Sequence, residues 1–261
     1  MTDKIISEQS DDIARVIFNQ PEKRNAVSLE MWEAVEAAVT RFRDDPSVRI
    51  LVLSGAGGKA FVSGADVSKF ESERASKEAV AHYNATTKRV YDLIEAFPKP
   101  TIAQIDGFCI GGGVALALCC DVRICGAGSQ FAIPAAKLGL GYGYPGLKRL
   151  VDVVGPSFAK EIFFTARRFD AEEARTMGLV NRVVEDGKVA EAAEETARAI
   201  ADNAPMTVAS IKMIVGEVLK PESERDLAAC DASVQACFDS QDYIAGRRAF
   251  LEKRKANFTG S

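Results

Sequence analysis

Two glycine-rich segments of this 261-residue chain have the makings of an oxyanion site. In IDGFCIGGGVALALCCDVRI, residues 105–124, a β-like apolar run enters three consecutive glycines, Gly111 to Gly113, and then a compact apolar helix ending near Asp121. Glycines at such a junction let a ligand approach the backbone closely, and the first helical turn exposes N–H groups without intrahelical partners at the positive end of the helix dipole. A developing negative oxygen is stabilised there. In GKAFVSGADVSKF, residues 58–70, a second small-residue turn follows a strand and opens another helix, with Ser63 and Asp66 as capping candidates. Taken singly, GGG also serves tight packing and SGAD also serves as a capped helix start. Together, with Ala65 and Gly112 47 residues apart, they allow donors from two loops to meet on one carbonyl oxygen.

Other motifs carry less. Gly141-Tyr142-Gly143-Tyr144-Pro145-Gly146 matches G-x-G-x-x-G in letters, but a dinucleotide site needs that motif between a strand and its following helix, and Pro145 and two tyrosines fill this loop. SGAGGK, residues 54–59, lacks the phosphate-loop spacing and the hydroxyl that holds magnesium, and reads as a turn after a strand. The single histidine, His82, rules out multi-histidine metal sites and has no G-x-S-x-G nucleophile motif near it. Six cysteines without a C-x-x-C pair, several in apolar runs, read as buried reduced thiols. No metal site is expected.

The elements that must position these residues follow from periodicity. IARVIFN (13–19) and RILVLSG (49–55) read as strands, and between them Leu29, Trp32, Val35, Val39 and Phe42 recur at helical spacing after Ser28 and before Pro46, giving a helix over 28–44. Further strands are expected at 101–107, 122–126, 131–133 and 179–184, with helices at 75–97, 112–119, 156–165 and 171–177. This is repeated β-β-α traffic over residues 1–185, followed by a helical portion, 186–261. Lys+Arg 33 against Asp+Glu 37 leaves no basic footprint for nucleic acid. The longest apolar stretch, Val114 to Cys120, is far too short for a membrane span, and the N-terminus lacks a secretory pattern, so a cytoplasmic location is expected.

The chain closely resembles the crotonase superfamily, also called the enoyl-CoA hydratase/isomerase family. The resemblance runs through NQPEKRNAVS, AFVSGADV, the KPTIAQIDG and GGG segments, FAIPAAKLGL, ARRFDAEEARTMGLVNRVV and FLEKRKANF. It implies an α/β fold, the crotonase (ClpP-like) spiral of β-β-α units, with a helical C-terminal trimerisation region and a homotrimer or dimer of trimers. It implies an acyl-CoA thioester as partner and no separate cofactor, coenzyme A being part of the substrate. The oxyanion donors would be the N–H groups of Ala65 and Gly112. Ser63, Gly64, Asp66, Val67 and Gly111 would line the thioester's arm, Lys23 and Arg24 would lie near the coenzyme A phosphates, and Phe250 and Lys253 would reach the coenzyme from a C-terminal helix.

The sequence departs from the family at its acid/base groups. The two glutamates of family hydratases correspond to Ala115 and Ala135. An alanine transfers no proton, and losing a positioned acid or base costs about 10²–10⁴-fold per group. Tyr142, Tyr144, Glu71, Glu73 and His82 are the remaining polar candidates. Methylmalonyl-CoA decarboxylase-like members carry a tyrosine at the position of Tyr142, but a histidine where this chain has Ala65. Decarboxylation needs no base, so decarboxylation of a small acyl-CoA is favoured. Acyl-CoA hydrolysis, atypical hydration or isomerisation, and non-catalytic acyl-CoA binding are the alternatives.

Overall fold

A computed structural model describes residues 2–69, 73 and 75–261. Six strands form the larger sheet in the order β1-β2-β3-β5-β7-β10, with β1 (Ile5–Ser10), β2 (Ile13–Phe18), β3 (Ile50–Gly55), β5 (Thr101–Ile105), β7 (Val122–Gly126) and β10 (Arg182–Val184). β1 and β2 are an antiparallel hairpin, and every later pairing in this sheet is parallel. A parallel sheet must be covered on both faces, and the period-2 alternation of a strand supplies two apolar sets. Leu51, Leu53, Ala103 and Ile105 enter the main core, while Ile13, Ile50, Val52, Ile102 and Ile124 face the other way.

A second sheet of short strands, β4 (Ala60–Val62), β6 (Phe108–Ile110), β8 (Gln130–Ala132) and β9 (Phe169–Asp170), stands beside it. Each coil of the spiral therefore runs from a long strand to a short strand to a helix. β3 and β4 lead to α2 (Lys77–Glu95), β5 and β6 to α3 (Gly112–Leu118), and β7 and β8 to α4 (Tyr144–Thr165). Helix α1 (Leu29–Asp44) buries Met31, Trp32, Val35, Val39 and Phe42, the stripe its spacing predicts.

After α5 (Ala171–Thr176) the chain is helical: α6 (Val189–Ala201), α7 (Pro205–Val218), α8 (Leu227–Asp239) and α9 (Gln241–Leu251). α6 lays Val189, Ala192, Ala193 and Ala197 on the second face of the large sheet. α7, α8 and α9 carry exposed large apolar residues, among them Ile211, Val215, Val218, Phe238 and Ile244. No helix of the described residues is long and apolar enough to cross a membrane.

Two expectations need correction. The strands β1, β4, β6 and β9 do not appear in the sequence reading, because two or three residues show no alternation and β1 is largely exposed. The helix expected over 156–165 begins at Tyr144, where Pro145 fits the first turn of a helix, and it is broken at Gly155 (φ 74, ψ 166) into two segments. The six cysteines are unpaired, five of them buried.

Candidate active site

The first glycine-rich loop leaves β4 at Val62 and is tied to the segment before α1. Val27 N–H donates to Gly64 O at 2.8 Å and Asp66 N–H donates to Val27 O at 2.9 Å, an isolated parallel bridge between Val27 and Ala65. In this pattern Val27 uses the residues flanking Ala65, so the N–H and C=O of Ala65 itself face the opposite side. Upstream, the left-handed residues Arg24 and Asn25 turn the chain, and Arg24 O accepts from Ser63 N–H at 3.2 Å. The buried Asn25 amide pins that turn by donating to Ala56 O and Ala60 O, at 3.0 and 2.7 Å. Asn tolerates the left-handed conformation better than most residues.

The second loop leaves β6 at Ile110. Gly111 (φ 54, ψ −110) donates to Ala132 O and turns the chain into α3, a conformation that a side chain would strain. Gly112 is the first residue of α3, so its N–H has no partner within the helix. A β-carbon on Gly113 would stand 2.1 Å from Val62 O, which shows how tightly α3 presses on the end of β4. The two loops lie side by side with room for no more than about a methyl group between them: a β-carbon built on Gly64 would meet Ile110 O at 3.4 Å. Among the described residues the outcome is a pair of unspent backbone donors, Ala65 N–H and Gly112 N–H, on adjacent loops.

The charged residues near the first loop have distinct situations. Lys23 Nζ donates to Asp66 Oδ2 at 2.8 Å and to Ser68 Oγ at 2.9 Å. Burial alone would push the Asp66 carboxyl up, but the donors on Lys23 and Ser68 outweigh it and hold the group below the usual carboxylate range. Asp66 also accepts from Ser68 N–H, capping the short turn Val67–Lys69, in which Val67 is exposed. Arg24 instead lays its guanidinium over the Phe108 ring, 4.8 Å from the centroid, with Arg168 5.3 Å from the same ring.

Lys23, Arg24, Ser63, Gly64, Ala65, Asp66, Val67, Gly111 and Gly112 are thus brought together. Tyr142, just before α4, packs back on that helix with its ring edge-on to Phe163 at 4.8 Å, and burial pushes its phenol up. Phe250 and Lys253 lie at and just beyond the end of α9, a helix that packs on α8, and Phe250 is 84% exposed. Within one chain they do not join the glycine-rich loops. Ala115 and Ala135 are both buried, so those positions hold no carboxylate. Of the other polar candidates, Glu73 Oε1 accepts from Leu29 N–H at 3.1 Å and caps α1, Tyr144 is exposed, and the exposed His82 sits 3.6 Å from Glu33. Glu71 lies outside the described residues.

Sequence reasoning missed Tyr91. It reaches from α2 to donate its hydroxyl to Gly112 O at 3.2 Å, with its ring edge-on to Trp32 at 5.5 Å. Burial pushes its phenol well above the ordinary value, and neighbouring Tyr142 and Cys119 push the same way. A cavity of about 1050 Å³ bordered by Arg49, Lys99, Asn203 and Phe258 shares no residue with the glycine-rich loops, and the chemistry is assigned to the loops. Among the described residues no three His, Cys, Asp or Glu side chains are grouped to hold a metal ion.

The sequence profile of the enoyl-CoA hydratase/isomerase family matches residues 8–261. The chain is 37% identical over 256 residues to a crotonyl-CoA hydratase of Syntrophomonas wolfei, covering 98% of each chain. It is 31% identical to a carnitinyl-CoA dehydratase of Salmonella typhi, covering 100% of each. Among solved structures, an enoyl-CoA hydratase/carnithine racemase from Magnetospirillum magneticum superposes with a TM-score of 0.91 at 36% identity, covering 100% of this chain and 97% of that one.

Proposed function

The chain belongs to the enoyl-CoA hydratase/isomerase family of acyl-CoA-processing enzymes, and from that premise we propose that it decarboxylates a small malonyl-type acyl-CoA thioester. The observation that carries the reading is the pairing of two unspent backbone donors with a site in which the hydratase carboxylates are replaced by buried Ala115 and Ala135. A thioester seats its carbonyl oxygen between Ala65 N–H and Gly112 N–H. The bond from the α-carbon to its carboxylate breaks, carbon dioxide leaves, and the electron pair becomes an enolate whose oxygen the two N–H groups stabilise. Each such donor is worth about 2.7–4 kcal/mol in the transition state. No base is required.

Tyr142 orients the departing carboxylate in this scheme, and the coenzyme A arm runs past Ser63, Gly64, Asp66, Val67 and Gly111 towards Arg24. The remote arm supplies binding energy that fixes the acyl group for reaction. The exposed apolar residues of α7, α8 and α9 fit a trimer, in which Phe250 and Lys253 of one copy reach a neighbour's coenzyme. No metal or further cofactor takes part, and the protein works in the cytoplasm.

A second reading, addition of water to an enoyl-CoA, draws on the hydratase and dehydratase relatives. It asks for acid and base groups that Ala115 and Ala135 lack, at about 10²–10⁴-fold in rate per group. Purified protein incubated separately with methylmalonyl-, ethylmalonyl-, crotonyl- and β-ketoacyl-CoA, read by mass spectrometry, decides between them. The expected result is loss of carbon dioxide from a malonyl-type thioester. Hydration of crotonyl-CoA at about 10 per second or more would overturn it.

A further inference from the structure

We propose that Tyr91 is the catalytic acid of this site, delivering the proton that the thioester enolate needs at its α-carbon. The inference deepens the thioester reading above and rests on it. Gly112 and Ala115 are three residues apart on α3 and so share one face. The direction in which Gly112 would carry a β-carbon leads to the Tyr91 hydroxyl, 3.4 Å away. The phenol therefore borders the face on which residue 115 presents only a methyl group. A reacting group that the helix does not supply is supplied across from it, by α2.

The hydroxyl is placed to act on a ligand of Gly112. A thioester oxygen accepting from Gly112 N–H has its α-carbon two bonds away, and the phenol stands beside the carbonyl and the β-carbon direction of that same residue, on the face shared with Ala115. Tyr91 Oη donates to Gly112 O at 3.2 Å, and a hydroxyl rotor can turn from that acceptor toward a ligand. Burial keeps the phenol protonated, as an acid must be before it acts. Tyr142 lacks this relation: its ring packs on Phe163 and over Gly146, and among the described residues its hydroxyl makes no hydrogen bond to Gly112. Edge-on contact with Trp32 fixes the plane of the Tyr91 ring, leaving the hydroxyl rotor as the moving part.

The step balances. Carbon dioxide departs and leaves its bonding pair in the enolate. The pair then takes the proton from Tyr91 Oη to form the new C–H bond, and the phenolate recovers a proton from water. Arg149, 5.9 Å from the Tyr91 ring, lies near the transient negative charge.

The test uses the whole protein as wild type, Tyr91→Phe and Tyr142→Phe, each in deuterated water with methylmalonyl-CoA and, separately, with propionyl-CoA. Melting temperatures are measured alongside. The expected product from methylmalonyl-CoA with wild type is propionyl-CoA carrying one α-deuterium in a single configuration. Tyr91→Phe is expected to lower turnover about 10²-fold and to give the label in both configurations, because the enolate is then protonated from solvent. Tyr142→Phe is expected to keep the single configuration. A structural role for Tyr91 would slow the reaction without scrambling the label, so a single configuration from Tyr91→Phe overturns the proposal. Placing 3-fluorotyrosine at position 91 preserves the ring shape and an acidic hydroxyl, and the single configuration is expected to survive; scrambling there also overturns it. If wild type decarboxylates no malonyl-type thioester, the decarboxylase reading falls by itself. Propionyl-CoA then decides Tyr91: slow α-hydrogen exchange lost in Tyr91→Phe supports the assignment, and equal exchange in both proteins, or none in either, overturns it.

Discussion

A β-carbon built on Gly112 would stand 3.9 Å from the Cα of Gly64, although the two residues belong to different coils of the spiral. This closeness is what the proposed two-donor site relies on to bring N–H groups from β4's loop and from α3 to one oxygen. Gly112→Pro deletes one of them at a helix position where proline is tolerated. Turnover on the accepted thioester is expected to fall about 10²–10³-fold, with coenzyme A affinity nearly unchanged. Steady-state kinetics beside calorimetry with acetyl-CoA check this, and full activity in a folded variant would remove Gly112 from the donor pair.

The neighbouring glycine answers to a different constraint. Gly113→Ala drives a β-carbon into Val62 O at 2.1 Å, and backbone has little room to give. The expected cost is about 3 kcal/mol of stability, at the upper end for overpacking, read as a lowered denaturation midpoint. A midpoint equal to wild type would show that α3 and β4 can separate freely.

Lys23 acts through the loop. Asp66 has its carboxyl held below the ordinary range, so its contribution to stability is present above the unfolded carboxyl's value of about 3.9 and is lost as pH falls through the lower folded value. Lys23→Met should raise the Asp66 value and shrink that contribution by about 0.5 kcal/mol, since the lysine is partly exposed. Titration of Asp66 by NMR in both proteins measures the change, and an unmoved Asp66 would refute it.

Among the described residues Arg24 pairs with no carboxylate, and its guanidinium rests over the Phe108 ring, where in the proposed site it meets a phosphate. Arg24→Gln is expected to weaken coenzyme A thioester binding about 5-fold, roughly 1 kcal/mol, while leaving the pantetheine thioester unaffected. Equal losses for both ligands would place Arg24 away from the phosphates.

Cys125 is buried in β7, and burial pushes its thiol up to about 12. An acid whose folded value is raised keeps its stabilising effect below the unfolded value of about 8.5 and loses it as pH climbs toward the folded one. The stability gap between wild type and Cys125→Ala should therefore narrow by about 2 kcal/mol between pH 8 and 10, measured by urea denaturation. A constant gap would mean that the thiol ionises normally in the fold.

Long elements were legible in the sequence because their periodicity matches their burial. The stripe of Trp32, Val35, Val39 and Phe42 is both the pattern and the buried face of α1. The loops of the site were legible too, since Gly64 and Gly111 hold positive φ that other residues rarely adopt. Tyr91 was hidden for the opposite reason. It shares α2 with the buried residues Tyr83, Thr86, Val90 and Ile94 and reads as one more member of the apolar stripe. The signal available was its polar tip, which a buried tyrosine must satisfy somewhere; the partner, Gly112, is fixed only by tertiary packing. The short strands β4 and β6 escaped because three residues define no period.

In the proposed site the grip on the thioester oxygen is made by main-chain N–H groups, so no side chain at positions 115, 135, 91 or 142 is needed to keep it. An ancestor could exchange its proton-handling residues one at a time, losing turnover at each step while still binding and polarising the same thioester. The scaffold is thereby evolvable in its reaction while conservative in its ligand. Overall identity to a hydratase then tracks shared ancestry of the grip, and the few side chains that overlook Gly112 are where one lineage's chemistry parts from another's.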